Sequence, residues 1–173
     1  LFQSVSSRSS GFSSLHIGST TDSLNFLFTG LMFVGGAAGS TAGGIKLNTL
    51  ALIVLTNIAI VKGRTQIRIF GKEVPTQQGQ FSIVIASISV CLILLSTGTL
   101  LMLEDGFDFD HVFFDTVSAF SSVGFTTGIA ESVSGKGRVM LVMVMLTGRF
   151  GVLFLALTMV NSQKSKTFRY VQE

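Results

Sequence analysis

The chain has 173 residues, of which 47% are apolar and 12% are charged, with one Pro, no Trp and 16 Phe. A soluble domain carries roughly 25% charged residues, so this composition argues against a soluble enzyme, a disordered chain and a nucleic-acid binder. The net charge of +3 is small, and the single cysteine, Cys91, excludes an internal disulfide and a multi-Cys metal site. A membrane protein is the class that remains.

The chain begins with Leu1 and a polar run, QSVSSRSSGFSS, instead of the basic and apolar regions of a signal peptide. We therefore expect a fragment or a processed form of a longer protein. The first apolar segment, residues 24–61, is about twice as long as one membrane span and is interrupted by GGAAGSTAGG. Glycine disfavours a helix interior by about 1 kcal/mol relative to Ala, so this run predicts one span broken in the middle.

Two later apolar segments are long enough to cross a bilayer. Residues 81–103 contain no charge, and residues 139–160 contain only Arg149. The connecting segment 62–80 and the tail 161–173 are both basic, which predicts that both are cytoplasmic. The chain should then cross inward through the broken span, outward through 81–103 and inward again.

Between these two spans, the outer segment carries an apolar and aromatic stretch too short to cross and return as two helices. It predicts a re-entrant hairpin over residues 108–129, in which Asp108 or Asp110 caps a short helix and SSVGFTTG returns in extended form. The carboxylates of the outer segment either concentrate cations or are solvated loop charge. They are Glu104, Asp105, Asp108, Asp110, Asp115 and Glu131.

An internal repeat links this hairpin to the beginning of the chain. At an offset of 113 residues, SSGFSS (9–14) aligns with SVGFTT (122–127), and Gly35 aligns with Gly148 in the helix that follows. Repeats of this kind build pseudosymmetric pathways in membrane proteins. The repeating unit is therefore predicted to be a re-entrant loop followed by a span.

The repeated G-F-[ST] pattern is suited to binding a dehydrated cation. Backbone carbonyls supply oxygen ligands without a fixed negative charge, and Gly permits the backbone angles that aim them at one axis. The hydroxyls of residues 13, 14, 126 and 127 either satisfy free amides or extend the polar lining. Small-residue helix packing is the alternative for both copies. The predicted filter residues are Ser9, Ser10, Gly11 and Phe12 in the first segment, and Ser122, Val123, Gly124 and Phe125 in the second.

The glycine-rich run, residues 35–44, is predicted to be a movable gate beneath this filter. The spacing of Gly35, Gly39 and Gly43 also fits a small-residue ladder for close helix packing, which is the alternative. The predicted gating loop comprises Gly35, Gly36, Ala37, Ala38, Gly39, Ser40, Thr41, Ala42, Gly43 and Gly44, with Ser40 and Thr41 as polar linings.

Charges within the predicted spans are costly and usually face a cavity or a partner. Arg149 lies about halfway along the last span, which predicts a pore-side role as an electrostatic barrier or a tether for the glycine-rich loop. Lys46 follows that loop and is either pore-facing or an anchor between helices. His16 and His111 lack partners at metal-ligand spacing, so no protein-ligated metal site is predicted.

Four motifs in order, SSRSSGFSS, GGAAGSTAGGIK, SAFSSVGFTTG and LTGRFG, cover nearly the whole chain. Together they resemble the membrane subunit of the Trk/Ktr/HKT superfamily of potassium transporters, most closely its bacterial KtrB and TrkH members. The resemblance implies an all-α membrane protein of four helix, pore-loop, helix units, of which this chain holds about one and a half. Residues 1–61 would belong to the third unit, and residues 81–160 would form the fourth, with helices 81–103 and 137–160.

The resemblance further implies potassium uptake across a bacterial plasma membrane. K+ would be the transported ion bound at the filter carbonyls, Na+ a coupling or regulatory ion, and no organic cofactor is expected. The implied partners are the missing N-terminal half of the subunit, a second copy, cytosolic nucleotide-binding regulatory subunits and membrane lipid, and no nucleic acid. Each hairpin has one filter Gly where the TVGYG filter has two, so fewer ion sites are expected.

Two other functions are compatible with parts of the sequence. In an intramembrane serine hydrolase, Ser40 would be the nucleophile and His16 or His111 the base, although both histidines lie at the predicted membrane edge. In a non-transporting scaffold, the glycines would only pack helices. That scaffold would leave the duplicated hairpin and Arg149 without a purpose, so a transporter, not an enzyme, is the prediction.

Overall fold

The structure is a computed structural model that describes residues 2–8, 10–14, 17–37, 40, 42–63, 67–69, 72–104 and 106–151. Several predicted features lie outside the described residues. They are Ser9, His16, Ala38, Gly39, Thr41, Asp105, residues 152–160 of the last predicted helix and the tail 161–173.

The apolar segment 24–61 forms two helices that are separated at its glycines. Helix α1 (Phe2–Ser6) and a 3₁₀ turn (Ile17–Ser19) precede α2 (Asp22–Phe33), and α3 (Leu47–Val61) follows the interruption. The described residues between α2 and α3 are non-helical, with a parallel bridge between Val34 and Ile45. Backbone pairing across the break satisfies amides that a helix would otherwise satisfy, as buried backbone requires.

A short β-hairpin lies in the predicted cytoplasmic connection. Strand β1 (Ile67–Ile69) pairs antiparallel with β2 (Lys72–Val74) in the register Ile67 with Val74. The expectation of an all-α chain is therefore wrong for these residues, since β-branched side chains favour a strand once the helix has ended. The other named secondary-structure elements of the described residues are helices.

One long helix follows the hairpin. Helix α4 (Thr76–Leu103) begins after Pro75, five residues before the predicted span. Within it, Gln78–Leu103 has a mean hydropathy of 2.3 and is the one described helix long and apolar enough to cross a membrane. Helix α3 is also apolar but shorter.

The second predicted hairpin contains a short helix followed by non-helical backbone. Helix α5 (Phe109–Ser121) begins after Asp108, whose side chain makes no capping hydrogen bond, and ends at Ser122, which has a left-handed φ of 52°. Residues 123–126 are extended or irregular and lead to the short helix α6 (Ile129–Ser132). Helix α7 (Gly135–Leu146) starts with Ser134 as its N-cap and continues into a π-helical turn, Thr147–Gly151.

Helix α5 lies at the centre of the fold. It packs against α2, α4 and α7, and its residues 114–121 are all buried. Phe114, Phe120 and Met32 are each no more than 1% exposed and form the middle of one apolar core. Of the three helices that cover α5, α4 is the one long and apolar enough to cross a membrane.

Candidate functional site

The two predicted filter segments lie against each other. Both glycines have left-handed backbones, with φ of +64° at Gly11 and +94° at Gly124. A Cβ added to Gly11 would lie 2.2 Å from the carbonyl oxygen of Val123, so only a glycine fits at this contact. The fold therefore brings together two stretches that are more than 100 residues apart in the chain.

The backbone after Gly124 is held by a buried carboxylate on α5. Asp115 is 5% exposed, and its Oδ2 accepts a hydrogen bond of 2.7 Å from the hydroxyl of Thr126. Its Oδ1 accepts from the amide of Thr127 at 2.8 Å and from the Thr127 hydroxyl at 3.1 Å. The Thr126 hydroxyl also accepts from the Gly128 amide at 3.0 Å. Of the two alternatives for these hydroxyls, the structure shows that Thr126 satisfies a free amide.

The described hydrogen bonds that hold the first segment come from neutral groups. The side-chain amide of Gln3 donates to the hydroxyl of Ser13 at 2.9 Å, and the Ser6 hydroxyl donates to the carbonyl oxygen of Phe12 at 2.5 Å. The two repeats thus use different side chains to hold the residues that follow their filter glycines.

The glycine-rich loop lies directly beneath the end of α5. The amide of Gly43 donates to the carbonyl oxygen of Ser121 at 3.1 Å. A Cβ on Gly43 would lie 2.8 Å from that same carbonyl group, so the loop and α5 are in backbone contact. Within the loop, Gly35 donates to Ile45 at 2.8 Å. Gly35 and Gly43 therefore do not lie on one helix, and the small-residue ladder is wrong for these two residues.

Two basic side chains lie near this loop. Nζ of Lys46 donates to the carbonyl oxygens of Ser40 at 2.8 Å and Ala42 at 2.6 Å, so Lys46 holds the loop beside the start of α3. Arg149 lies in the π-helical turn, close enough for its guanidinium to repel the Lys46 ammonium. The adjacent Gly148 packs on α5, where a Cβ would lie 1.9 Å from the carbonyl oxygen of Phe120.

Two cavities border the second segment. One, of about 440 Å³, is lined by residues of both filter segments, including Gly11, Ser13, Gly124 and Thr127. The other, of about 400 Å³, extends from Asp115 and Gly124 to Arg149. The predicted filter, Asp115 and the predicted pore-side arginine thus share one continuous region of the fold.

By sequence, Asp115 is grouped with carboxylates that either concentrate cations or are solvated loop charge, and solvated loop charge is wrong for this residue. The structure buries Asp115 in the middle of α5. The sequence did contain the signal, because Asp115 stands within the apolar run FFDTVSAF, where a carboxylate needs hydrogen-bond donors.

The structure also bears on the hydrolase alternative. The Ser40 hydroxyl accepts a hydrogen bond of 3.0 Å from the Ala42 amide. His111 is in the first turn of α5, whereas the loop contacts its last residue, Ser121, about 15 Å further along the helix at 1.5 Å per residue. Ser40 and His111 therefore do not form a nucleophile and base pair.

A short buried helix that is followed by non-helical backbone and packs against a helix long and apolar enough to cross a membrane is typical of a helical membrane protein. The chain belongs to the TrkH family of cation transport proteins, which matches residues 1–170. It is 34% identical over 157 residues to the Ktr system potassium uptake protein B of Vibrio alginolyticus, covering 90% of this chain and 34% of that protein.

Two further comparisons show a similar sequence and a similar fold. The chain is 26% identical over 179 residues to the potassium/sodium uptake protein NtpJ of Enterococcus hirae, covering 99% of this chain and 39% of that protein. Its fold matches the crystal structure of the potassium transporter TrkH from Vibrio parahaemolyticus with a TM-score of 0.74 and 24% identity, over 92% of this chain and 36% of that one. The chain spans about a third of the length of these relatives, which are transporters.

Proposed function

We propose that this chain is the C-terminal part of a four-repeat subunit that takes up potassium across the cell membrane through a filter of backbone carbonyls. The contact between Gly11 and the Val123 carbonyl carries this proposal. Two glycine-centred segments with left-handed backbones meet there, and such backbones can direct successive carbonyls toward a common axis. Filter residues 9–12 and 122–125 would supply two quarters of the ion path, and segments outside this chain the other two.

We further propose that residues 35–44 gate the path. The hydrogen bond from Gly43 to Ser121 supports this, because it holds the loop against the helix that leads into the second filter segment. The loop is non-helical in its described residues, so it can move without unwinding a helix. Lys46 and Arg149 would place positive charge beside the loop and oppose cation passage while the loop is closed.

The relatives' names support the choice of ion. One is a potassium uptake protein of a Ktr system and another a potassium/sodium uptake protein, so K+ is the proposed cargo and Na+ a coupling or regulatory ion. A second copy of the subunit, cytosolic nucleotide-binding subunits and membrane lipid are the proposed partners. The proposed location is the bacterial plasma membrane, with several crossings.

The test is rubidium uptake by a potassium-transport-deficient bacterium that expresses the complete gene. Gly124→Ser places a side chain on a left-handed residue of the filter, and we expect uptake to fall at least about tenfold or to become sodium-permeable. Gly106→Ser is the matched control, because Gly106 has the same φ of +94° and open space around it, outside the filter. We expect normal uptake from that variant.

The alternative functions predict a different result. A non-transporting scaffold gives no rubidium uptake above the empty-vector strain, whichever residue is changed. Uptake that is equal in Gly124→Ser and wild type, at equal amounts of membrane protein, would show that ions do not pass Gly124 and would overturn the proposal.

A further inference from the structure

Asp115 is a charged group buried inside the membrane region of the fold, and the carbonyl filter does not require it as a ligand. It is 5% exposed, and hydrogen bonds from Thr126 and Thr127 direct its two oxygens toward the backbone that leaves the second filter segment. The Ala130 amide also interacts with this carboxylate. A buried carboxylate is costly unless donors surround it, so this arrangement needs a role that outweighs its cost.

We propose that Asp115 is a positioning residue that fixes residues 126–128 against α5 and thereby sets the preference of the filter for K+ over Na+. The proposal rests on the proposed function and deepens it. Asp115 does not contact the ion in this scheme; it acts through the backbone that carries Gly124 and Phe125.

The physical argument begins with the lack of regular structure after Gly124. Residues 123–126 belong to neither helix nor strand, so the hydrogen bonds of a ladder do not hold them. Three hydrogen bonds to one carboxylate replace that ladder, and bonds to a charged acceptor are about twice as strong as neutral ones. Phe125, 3% exposed, packs edge-on against Phe28 with ring centroids 6.2 Å apart and supports the same segment from α2.

Rigidity of this segment matters for selectivity. A site that discriminates against a smaller cation must keep its carbonyls from closing around that cation, or must hold their number and orientation constant. We call the three hydrogen bonds from Thr126 and Thr127 to Asp115 the clamp. Without the clamp, the spacing of the carbonyls at Val123 and Gly124 is free to adjust to Na+. The expected change is therefore in ion preference rather than in binding of K+ alone.

The described contacts of the first repeat differ from those of the second. There, Gln3 donates a neutral side-chain amide to Ser13, and position 2, which aligns with Asp115, is a phenylalanine. Among the described hydrogen bonds, the second segment is held by a carboxylate and the first by a neutral amide. Substitutions at Asp115 and at Gln3 should therefore affect the preference for K+ over Na+ differently.

The test measures the ratio of rubidium to sodium uptake in the complete protein. Asp115→Asn keeps the shape but removes the charge, and we expect the ratio to fall about tenfold. Thr126→Val removes one donor to Asp115 and the acceptor of the Gly128 amide with little change in volume, and we expect a smaller fall in the same direction. In the double variant the fall should not exceed that of Asp115→Asn, because the two residues act as one unit.

Asp110→Asn is the matched control for charge. Asp110 is an exposed carboxylate in the first turn of the same helix, so its loss lowers the negative charge near the mouth without touching the clamp. We expect this variant to keep the wild-type ratio. An equal loss of preference in Asp110→Asn and Asp115→Asn would show that bulk charge, not positioning, is responsible, and would overturn the proposal.

Failure of this proposal is distinguishable from failure of the proposed function. If Gly124→Ser abolishes uptake or selectivity while Asp115→Asn and Thr126→Val keep the wild-type ratio, the filter stands and the clamp is refuted. If Asp115→Asn does not reach the membrane, Thr126→Val decides alone, because its hydroxyl is on an exposed residue and its loss leaves the Thr127 bonds in place.

Discussion

The carbonyl oxygen of Ser121, the last residue of α5, accepts a hydrogen bond of 3.1 Å from the backbone amide of Gly43. The two residues are far apart in the chain, yet their backbones are in direct contact. This contact joins the glycine-rich loop to the helix that precedes the second filter segment. Movement of the loop away from α5 would break this hydrogen bond.

The first prediction concerns this contact. Gly43→Ala places a Cβ 2.8 Å from the Ser121 carbonyl, and backbone atoms cannot move aside as a flexible side chain would. We expect the loop to be pushed away from α5 and the basal rubidium flux of the complete protein to rise severalfold. Gly98→Ala is the control, because Gly98 lies in α4 with open space around it. Reduced or unchanged flux at normal expression would argue against a barrier at this loop.

A second prediction concerns Lys46. Its ammonium holds the carbonyls of Ser40 and Ala42, so Lys46→Met leaves both without this donor and loosens the loop. We expect a rise in rubidium flux like that of Gly43→Ala. Lys62→Met, which removes an exposed charge just after α3, should leave the flux unchanged. Equal flux in Lys46→Met and Lys62→Met would show that Lys46 does not contribute to gating.

The third prediction concerns the close packing of the π-helical turn on α5. Gly148→Ala brings a Cβ to 1.9 Å from the Phe120 carbonyl oxygen, and overpacking of this kind destabilises by about 1–3 kcal/mol. We expect a Tm lowered by several degrees in a thermal melt of the detergent-purified protein. Gly30→Ala, in α2 with no neighbour within 4 Å, should keep or raise the Tm. An unchanged Tm in Gly148→Ala would show that the backbone at Gly148 and Phe120 has room for a methyl group.

A fourth prediction concerns the contact between the end of α4 and the start of α7. Oε1 of Glu104 accepts a hydrogen bond of 3.1 Å from the Ser134 amide and a further one from the Ser134 hydroxyl, at the first turn of α7. Loss of an N-cap contact costs about 0.5–2 kcal/mol, so Glu104→Ala and Ser134→Ala should each lower the Tm. Their double variant should lose less than the sum, because the two residues share these bonds. Additive losses would indicate that each residue stabilises the fold separately.

Local features of the sequence predicted much of the helical pattern. The glycines of residues 35–44 disfavour a helix, and the chain is non-helical there in its described residues. The uncharged run 81–103 lies within α4, which begins earlier because Pro75 precedes its first turn. Such features depend on composition over a few turns, so they can be read from the order of residues alone.

The short hairpin at residues 67–74 and the role of Asp115 were not predicted. The basic charge of the connection indicated topology but not strands, and two three-residue strands give little periodicity. Asp115 stands in an apolar run, which is a local signal for burial, but the run does not show which donors surround the carboxylate. Those donors, Thr126 and Thr127, come from the chain that follows α5.

The sequence by itself determined the membrane class, the repeat at an offset of 113 residues and the position of the helix break, because these follow from composition, spacing and backbone preference. Only the tertiary structure decided that Gly11 meets Val123, that Gly43 meets Ser121 and that Asp115 faces Thr126. Each of these contacts joins residues that lie on different elements or on opposite sides of a turn. Their distances depend on how α2, α5 and α7 pack, and packing is set by the whole set of buried side chains rather than by any local pattern.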